Sequence, residues 1–186
     1  MDYALKKEQT ARSKFLFLLA TSPSNLRKRL RSEILGGRVQ YIEIKSSLVP
    51  LDLLLEADPS EASISKYLTD SWCFAAMASE RVVAACLVKA LSNDVAEIFN
   101  ISVYPEFQGQ GVGSELLKTV VSQLPAKGIK RVELGTGTFG YQLTFYQRLG
   151  FRVDSIVKDY FLRNYPDPIF ENGIQHKDML RLSLQL

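Results

Sequence analysis

Residues 108–113 read Gln108-Gly109-Gln110-Gly111-Val112-Gly113. Ahead of them, Ala96-Glu97-Ile98-Phe99-Asn100-Ile101-Ser102-Val103 is apolar and partly alternating, which predicts a strand. Tyr104-Pro105 ends it, because proline has no N–H to give to a ladder. Behind the run, Val112, Leu116, Leu117, Val120, Val121 and Leu124 recur at helical spacing. A glycine-rich loop thus joins the end of a strand to the start of a helix. Its main-chain N–H groups converge where the helix dipole already favours negative charge, which makes an anion site, most often for phosphate. Glycine suits such a loop, since a Cβ would block close approach or forbid positive φ. Two phosphate loops do not fit. A nucleoside-triphosphate loop ends in Gly-Lys-Ser/Thr, whereas Gly113 is followed directly by Ser114. A dinucleotide loop needs G-x-G-x-x-G opening a βαβ unit, and here the spacing is G-x-G-x-G past mid-chain.

The run does resemble the pyrophosphate loop of the GNAT N-acetyltransferases, which bind acetyl-CoA. Phe145-Tyr146-Gln147-Arg148-Leu149-Gly150-Phe151 is similar to the F-Y-x-x-x-G-F segment of the same family, and the two motifs stand in the family's order. The resemblance implies an α/β (α+β) fold: a mixed, mostly antiparallel sheet of about seven strands, splayed at the cofactor site, with helices on both faces. It also implies which groups hold acetyl-CoA. Amides of Gln108, Gly109, Gln110, Gly111, Val112, Gly113 and Ser114 face the pyrophosphate. The strand at Ile101, Ser102 and Val103 pairs with the pantetheine like an added strand, and a buried Asn100 helps satisfy the exposed backbone. Many family members carry an asparagine at the start of the second helix. This chain has Thr138-Phe139-Gly140 there, with Thr138 as the substitute contact.

Acetyl transfer to an amine makes two chemical demands beyond holding the cofactor. The amine must lose a proton, because an ammonium has no lone pair with which to attack. The departing thiolate must be protonated or stabilised. For the first, Glu97 is the acid on the strand that faces the cofactor, acting directly or through water; Asp94 and a water chain with no dedicated base are the alternatives. For the second, the resemblance implies Tyr146 as general acid, against its reading as a core aromatic.

Composition bounds the rest. The chain has 186 residues and a formal charge of +3, unevenly spread. Residues 1–38 hold nine Lys/Arg against three acids, a local +6, which leaves a body with 14 basic and 17 acidic residues, at −3. A mildly acidic body argues against nucleic acid as its partner and suits a cationic, amine-bearing acceptor. Residues 1–37 read as a basic N-terminal extension and 38–186 as the acetyltransferase domain. The apolar run Phe15-Leu16-Phe17-Leu18-Leu19-Ala20 is too short for a signal peptide's core or for a membrane span, so a cytoplasmic protein with no membrane partner is expected. Cys73 and Cys86 lie in apolar runs and read as free core thiols. No metal site is expected, and with His176 the only histidine, a hydrolase triad would rest wholly on it.

Along the chain, Val39 to Ile44 alternates as a first strand, Val49 to Leu55 reads as a helix, and Ser60 with Ser63 caps a second helix to Leu68. In the family, the loop between these helices often lines the acceptor pocket, so Glu56, Asp58 and Glu61 are candidate amine contacts, weighed against solvated helix-end charges. Two buried strands flank Ser79-Glu80-Arg81 as a hairpin. Lys158 to Lys177 reads as a long loop, aromatic and acidic, either closing over the acceptor with Asp167 and Glu171 drawing a cationic amine, or serving as a homodimer contact or packed surface. The acceptor is a small amine or a protein N-terminus; Phe99-Asn100-Ile101 is similar to ribosomal-protein acetyltransferases but too short to choose. A non-catalytic acyl-CoA sensor or partner module is the other class, against which the intact Glu97 and Tyr146 weigh.

Overall fold

The structure, a computed structural model, describes residues 39–186; the basic segment 1–37 and the helix expected over residues 25–35 lie outside the described residues. Strand β1 (Gln40–Ile44) leads into two short helices, α1 (Leu51–Leu54) and α2 (Glu61–Leu68). The Ser60 hydroxyl caps α2 by accepting the Ser63 N–H at 3.2 Å, satisfying one of the orphan donors of a helix start. β2 (Trp72–Ala78) and β3 (Arg81–Ala90) form a hairpin whose turn residues, Ser79 and Glu80, both take positive φ (47° and 65°). That handedness matches the strand twist, even though neither residue is glycine. β4 (Val95–Val103) ends in the glycine loop, followed by α3 (Val112–Gln123), β5 (Arg131–Gly137), α4 (Tyr141–Arg148) and β6 (Arg152–Val157).

The seven main strands form one sheet in the order β1-β2-β3-β4-β5-β9-β6, where β9 spans Met179–Gln185. Every neighbouring pair is antiparallel except β4 and β5. Both faces are covered. Ala84, Cys86 and Val88 of β3 join the cluster under α3, with Leu116, Leu117 and Val120. Ala85 and Leu87 of the same strand join Leu53, Leu54, Ile64 and Tyr67 beneath α1 and α2. Burial on both sides explains why β2 and β3 read as unbroken apolar runs rather than alternating ones. Cys73 and Cys86 are free and buried, as expected.

The segment 158–177 departs from the expectation of a structureless loop. It contains a short helix α5 (Tyr160–Asn164) and a hairpin of β7 (Phe170–Glu171) and β8 (Ile174–Gln175). Local aromatic stacking holds it, Phe161 lying 5.9 Å from Tyr165 and 5.4 Å from His176 by ring centre. These contacts join residues up to fifteen apart, which a strand-or-helix periodicity does not register.

Candidate active site

β4 carries the decisive irregularity. Leu87 faces Asn100 and Val88 faces Ile98, so Phe99 is an extra residue, a bulge that bends the strand. Pairing of β4 with β5 runs from Val95↔Arg131 to Ile98↔Leu134 and stops there. Beyond it, β5 continues against β9 as far as Gly137↔Met179, while β4 continues against β3 as far as Val103↔Ala84. The two strands therefore part, and residues 99–103 keep one edge without a strand. The Tyr104 N–H donates to the Val83 carbonyl at 3.1 Å, on the β3 side. Alternation then turns the main-chain groups of Ile101 and Val103 into the gap and those of Ser102 towards β3. Ser102 thus reaches the gap by neither N–H nor C=O, and its buried Oγ has no hydrogen-bond partner among the described residues. The Val103 carbonyl is taken by Gln108 Nε2 at 2.8 Å, which leaves its N–H.

The loop supplies the amides. Gly109 and Gly111 take φ of 68° and 84°, which L side chains adopt only at a cost. The Gln108 N–H is bonded to the Pro105 carbonyl at 3.3 Å, and Gln110 Nε2 ties back to the Glu106 carbonyl at 2.8 Å. The first main-chain bond of α3 runs from the Glu115 N–H to the Gly111 carbonyl at 3.0 Å, so the amides of Gly111, Val112, Gly113 and Ser114 are left free by helix geometry. Gly113 is closely packed: a Cβ there would lie 3.2 Å from Val103 Cγ2, which would have to give by a few tenths of an ångström, and 3.9 Å from the Phe145 ring. That closeness brings the start of α3, the end of β4 and α4 to one point.

Tyr146 stands beside that point. It is buried, edge-on to Phe145 and Phe151 at 5.1 and 5.9 Å, and its hydroxyl has no hydrogen-bond partner among the described residues. Burial pushes the hydroxyl above its ordinary pKa, with Cys86 adding to the effect. Cys86 is the register partner of Ile101 and packs in the same core cluster as Tyr146, which sets the tyrosine near the parted end of β4. Thr138 is exposed just past β5.

Glu97 is half-buried and bound by Arg181 through Oε1; Arg181 also reaches Glu133 Oε2 at 3.1 Å. Glu97 and Glu133 are register partners on parallel strands, where like charges side by side are unfavourable. Burial alone would lower the Arg181 pKa, but the two carboxylates outweigh it and raise it. Replacing Arg181 by Leu is expected to cost about 3 kcal/mol at pH 7, since it leaves Glu97 without a cation beside Glu133, which keeps Arg131 at 2.9 Å. Urea melts of the variant and the wild type at pH 7 check this, an unchanged midpoint being the result that would refute it. Arg181 and Glu133 did not emerge from the sequence, although Glu133 alternates on β5 as Glu97 does on β4.

The acceptor-side candidates separate. Asp58 is buried rather than a solvated helix end, and it accepts hydrogen bonds from the Ser60 N–H (3.1 Å), Tyr67 hydroxyl (3.3 Å) and Tyr165 hydroxyl (3.5 Å). Burial raises its carboxyl pKa despite those bonds. Glu56 is half-buried and Glu61 exposed in the first turn of α2. Asp167 is exposed. Glu171 is engaged within the chain: its Oε2 lies 3.1 Å from His176 Nε2, and both its oxygens sit where a Cβ on Gly140 would be, at 2.5 and 2.6 Å. His176 is buried and stacks flat on Phe139 at 4.3 Å, which makes it a docking residue for the hairpin rather than part of a triad.

A central sheet that parts beside an amide-lined helix start, with a buried phenol at the junction, defines an acyl-CoA-type transferase fold. The comparisons agree. Residues 47–151 match the Acetyltransferase (GNAT) family, and the chain belongs to it. The chain is 39% identical over 136 residues to the uncharacterized N-acetyltransferase YvbK of Bacillus subtilis, covering 73% of this chain and 88% of that protein. It is similar to a GNAT acetyltransferase of Elizabethkingia anophelis solved with acetyl-CoA bound, at 37% identity and a TM-score of 0.76 over 80% of this chain and 98% of the other. An IAA acetyltransferase from Bacillus cereus gives the same identity and TM-score, covering 80% of this chain and 99% of its own. A [ribosomal protein bS18]-alanine N-acetyltransferase of Haemophilus ducreyi is 33% identical over 98 residues, 51% of this chain and 64% of that protein.

Proposed function

We propose that this N-acetyltransferase moves the acetyl group of acetyl-CoA to a primary amine by direct attack. Acetyl-CoA is the co-substrate. The observation that carries the reading is the coincidence at one point of the parted β4 edge, the free amides of Gly111 to Ser114 and the Tyr146 hydroxyl. Ile101 and the Val103 N–H pair with the pantetheine amides; the loop amides, with Thr138 nearby, face the pyrophosphate and its flank. Glu97 keeps Oε2 free of Arg181 and takes the ammonium proton through water. The amine lone pair then attacks the thioester carbonyl. As the carbon–sulfur bond breaks, Tyr146 gives its proton to the sulfur, and the proton that the new amide nitrogen sheds restores the phenol. The acceptor enters from the α1–α2 face, between the Asp58 turn and the segment carrying Tyr165, with Asp167 and Glu171 on its outer side. The protein works in the cytoplasm without nucleic acid. No helix among the described residues is long and apolar enough to cross a membrane.

Thiol release from acetyl-CoA over a panel of amines, run beside calorimetric titration with CoA, tests this. Amine-dependent thiol release is the expected result. Tight CoA binding with no release on any amine would instead make the chain an acyl-CoA sensor or partner module.

A further inference from the structure

Asp58 is a buried carboxylate with no ion-pair partner among the described residues, whereas Glu97 and Glu133 share Arg181. Burying a charge without a counter-ion is costly, and three neutral hydrogen-bond donors offset only part of that cost. Its surroundings are what a cation would need. The Tyr67 hydroxyl bonds to it, and the Tyr67 ring is stacked on Phe99 at 5.1 Å. Tyr165 closes a third side through the longest of the three contacts. Tyr160 stands close enough to both Asp58 and Glu97 for each to raise its hydroxyl pKa, after burial itself. Asn100 spends its amide nitrogen on the Leu54 carbonyl (3.0 Å) and the Tyr67 hydroxyl (3.2 Å), while its Oδ1 is buried with no partner among the described residues. One cluster thus holds a carboxylate and an amide oxygen, both acceptors with capacity left, beside the two tyrosines. What is missing is a positively charged group rich in N–H donors, and an alkylammonium has three.

The position matters as much as the chemistry. Asp58 bonds to Tyr67, which packs in the cluster beneath α1 and α2, whereas Tyr146 packs in the cluster on the other face of the sheet. An ammonium on Asp58 therefore lies on the face of the sheet away from Tyr146. We propose that the acceptor is an alkyl diamine or longer amine, one nitrogen being acetylated while a second, still protonated, is held by Asp58 among Tyr67, Phe99 and Tyr165. This rests on the acetyltransferase reading for the nitrogen that reacts; the seat for the second stands on the cluster alone.

Calorimetric titration of the CoA-loaded full chain with 1,4-diaminobutane, 4-amino-1-butanol and n-butylamine decides it. The wild type is expected to bind the diamine at least tenfold more tightly than the other two. Asp58→Asn, which keeps the size and one acceptor oxygen, is expected to abolish that preference while leaving CoA affinity within twofold. Equal affinities for the three amines in the wild type overturn the proposal whether or not the variant folds, as does a preference that survives Asp58→Asn. Parallel thiol release from acetyl-CoA separates the two readings. Asp58-dependent diamine binding without release leaves the seat standing and removes the transfer reading. Release with no charge preference removes the seat alone.

Discussion

Tyr146→Phe is expected to lower kcat by about 10²-fold, near 2.7 kcal/mol in the barrier, with CoA affinity and the melting temperature nearly unchanged. The phenylalanine ring keeps the edge contacts to Phe145 and Phe151, so what is deleted is one hydroxyl that no other residue holds. The direction of the pKa shift sharpens the expectation. Burial holds the hydroxyl above its ordinary value, so it stays protonated, and able to donate, through neutral and mildly alkaline pH. A raised pKa in an acid moves its loss to higher pH. Any fall in wild-type rate below about pH 10 therefore does not come from this group, whereas the rise from acid pH reports deprotonation of the amine and persists in the variant. Steady-state rates at saturating acetyl-CoA over pH 6 to 10 check both parts. A variant with unaltered kcat would leave Tyr146 as a core aromatic only.

The second large effect falls on the loop. Gly111→Asp is expected to weaken CoA binding by 10² to 10³-fold, on the scale of several kcal/mol for like charges brought together. Gly111→Ala is expected to cost only about tenfold. Both substitutions pay for a left-handed backbone at φ 84°, on the order of 1 kcal/mol, and neither meets protein, since a Cβ there has nothing within 4 Å. They differ in charge: the aspartate sets a carboxylate beside amides that α3 leaves unpaired. Added salt is expected to recover part of the aspartate's loss and none of the alanine's, because screening acts on charge and not on strain. Titration with CoA at two ionic strengths separates the terms. Equal losses for the two variants would mean that these amides face no phosphate.

Much of this was legible in the chain itself. The loop from Gln108 to Gly113 identifies a strand end and a helix start because glycine spacing and the apolar repeat of α3 are local properties. The Ser60 cap and the burial of both cysteines followed from neighbours a few residues away. The segment 158–177 was less legible, since its helix and hairpin are held by contacts among rings well separated in sequence.

By itself, then, the sequence determined the strand–loop–helix anion site, the segment carrying Tyr146 and the two-sided burial of the central strands, all of which rest on periodicity and on what glycine and proline permit. Only the tertiary structure decided where β4 leaves β5, that Arg181 binds Glu97 and Glu133, and that Asp58 is enclosed by Tyr67 and Tyr165. Arg181 lies 84 and 48 positions from Glu97 and Glu133, and Tyr165 lies 107 from Asp58. Charge and hydrogen bonding depend on distance in space, and for such pairs that distance is set by the register of the whole sheet rather than by any stretch of the chain.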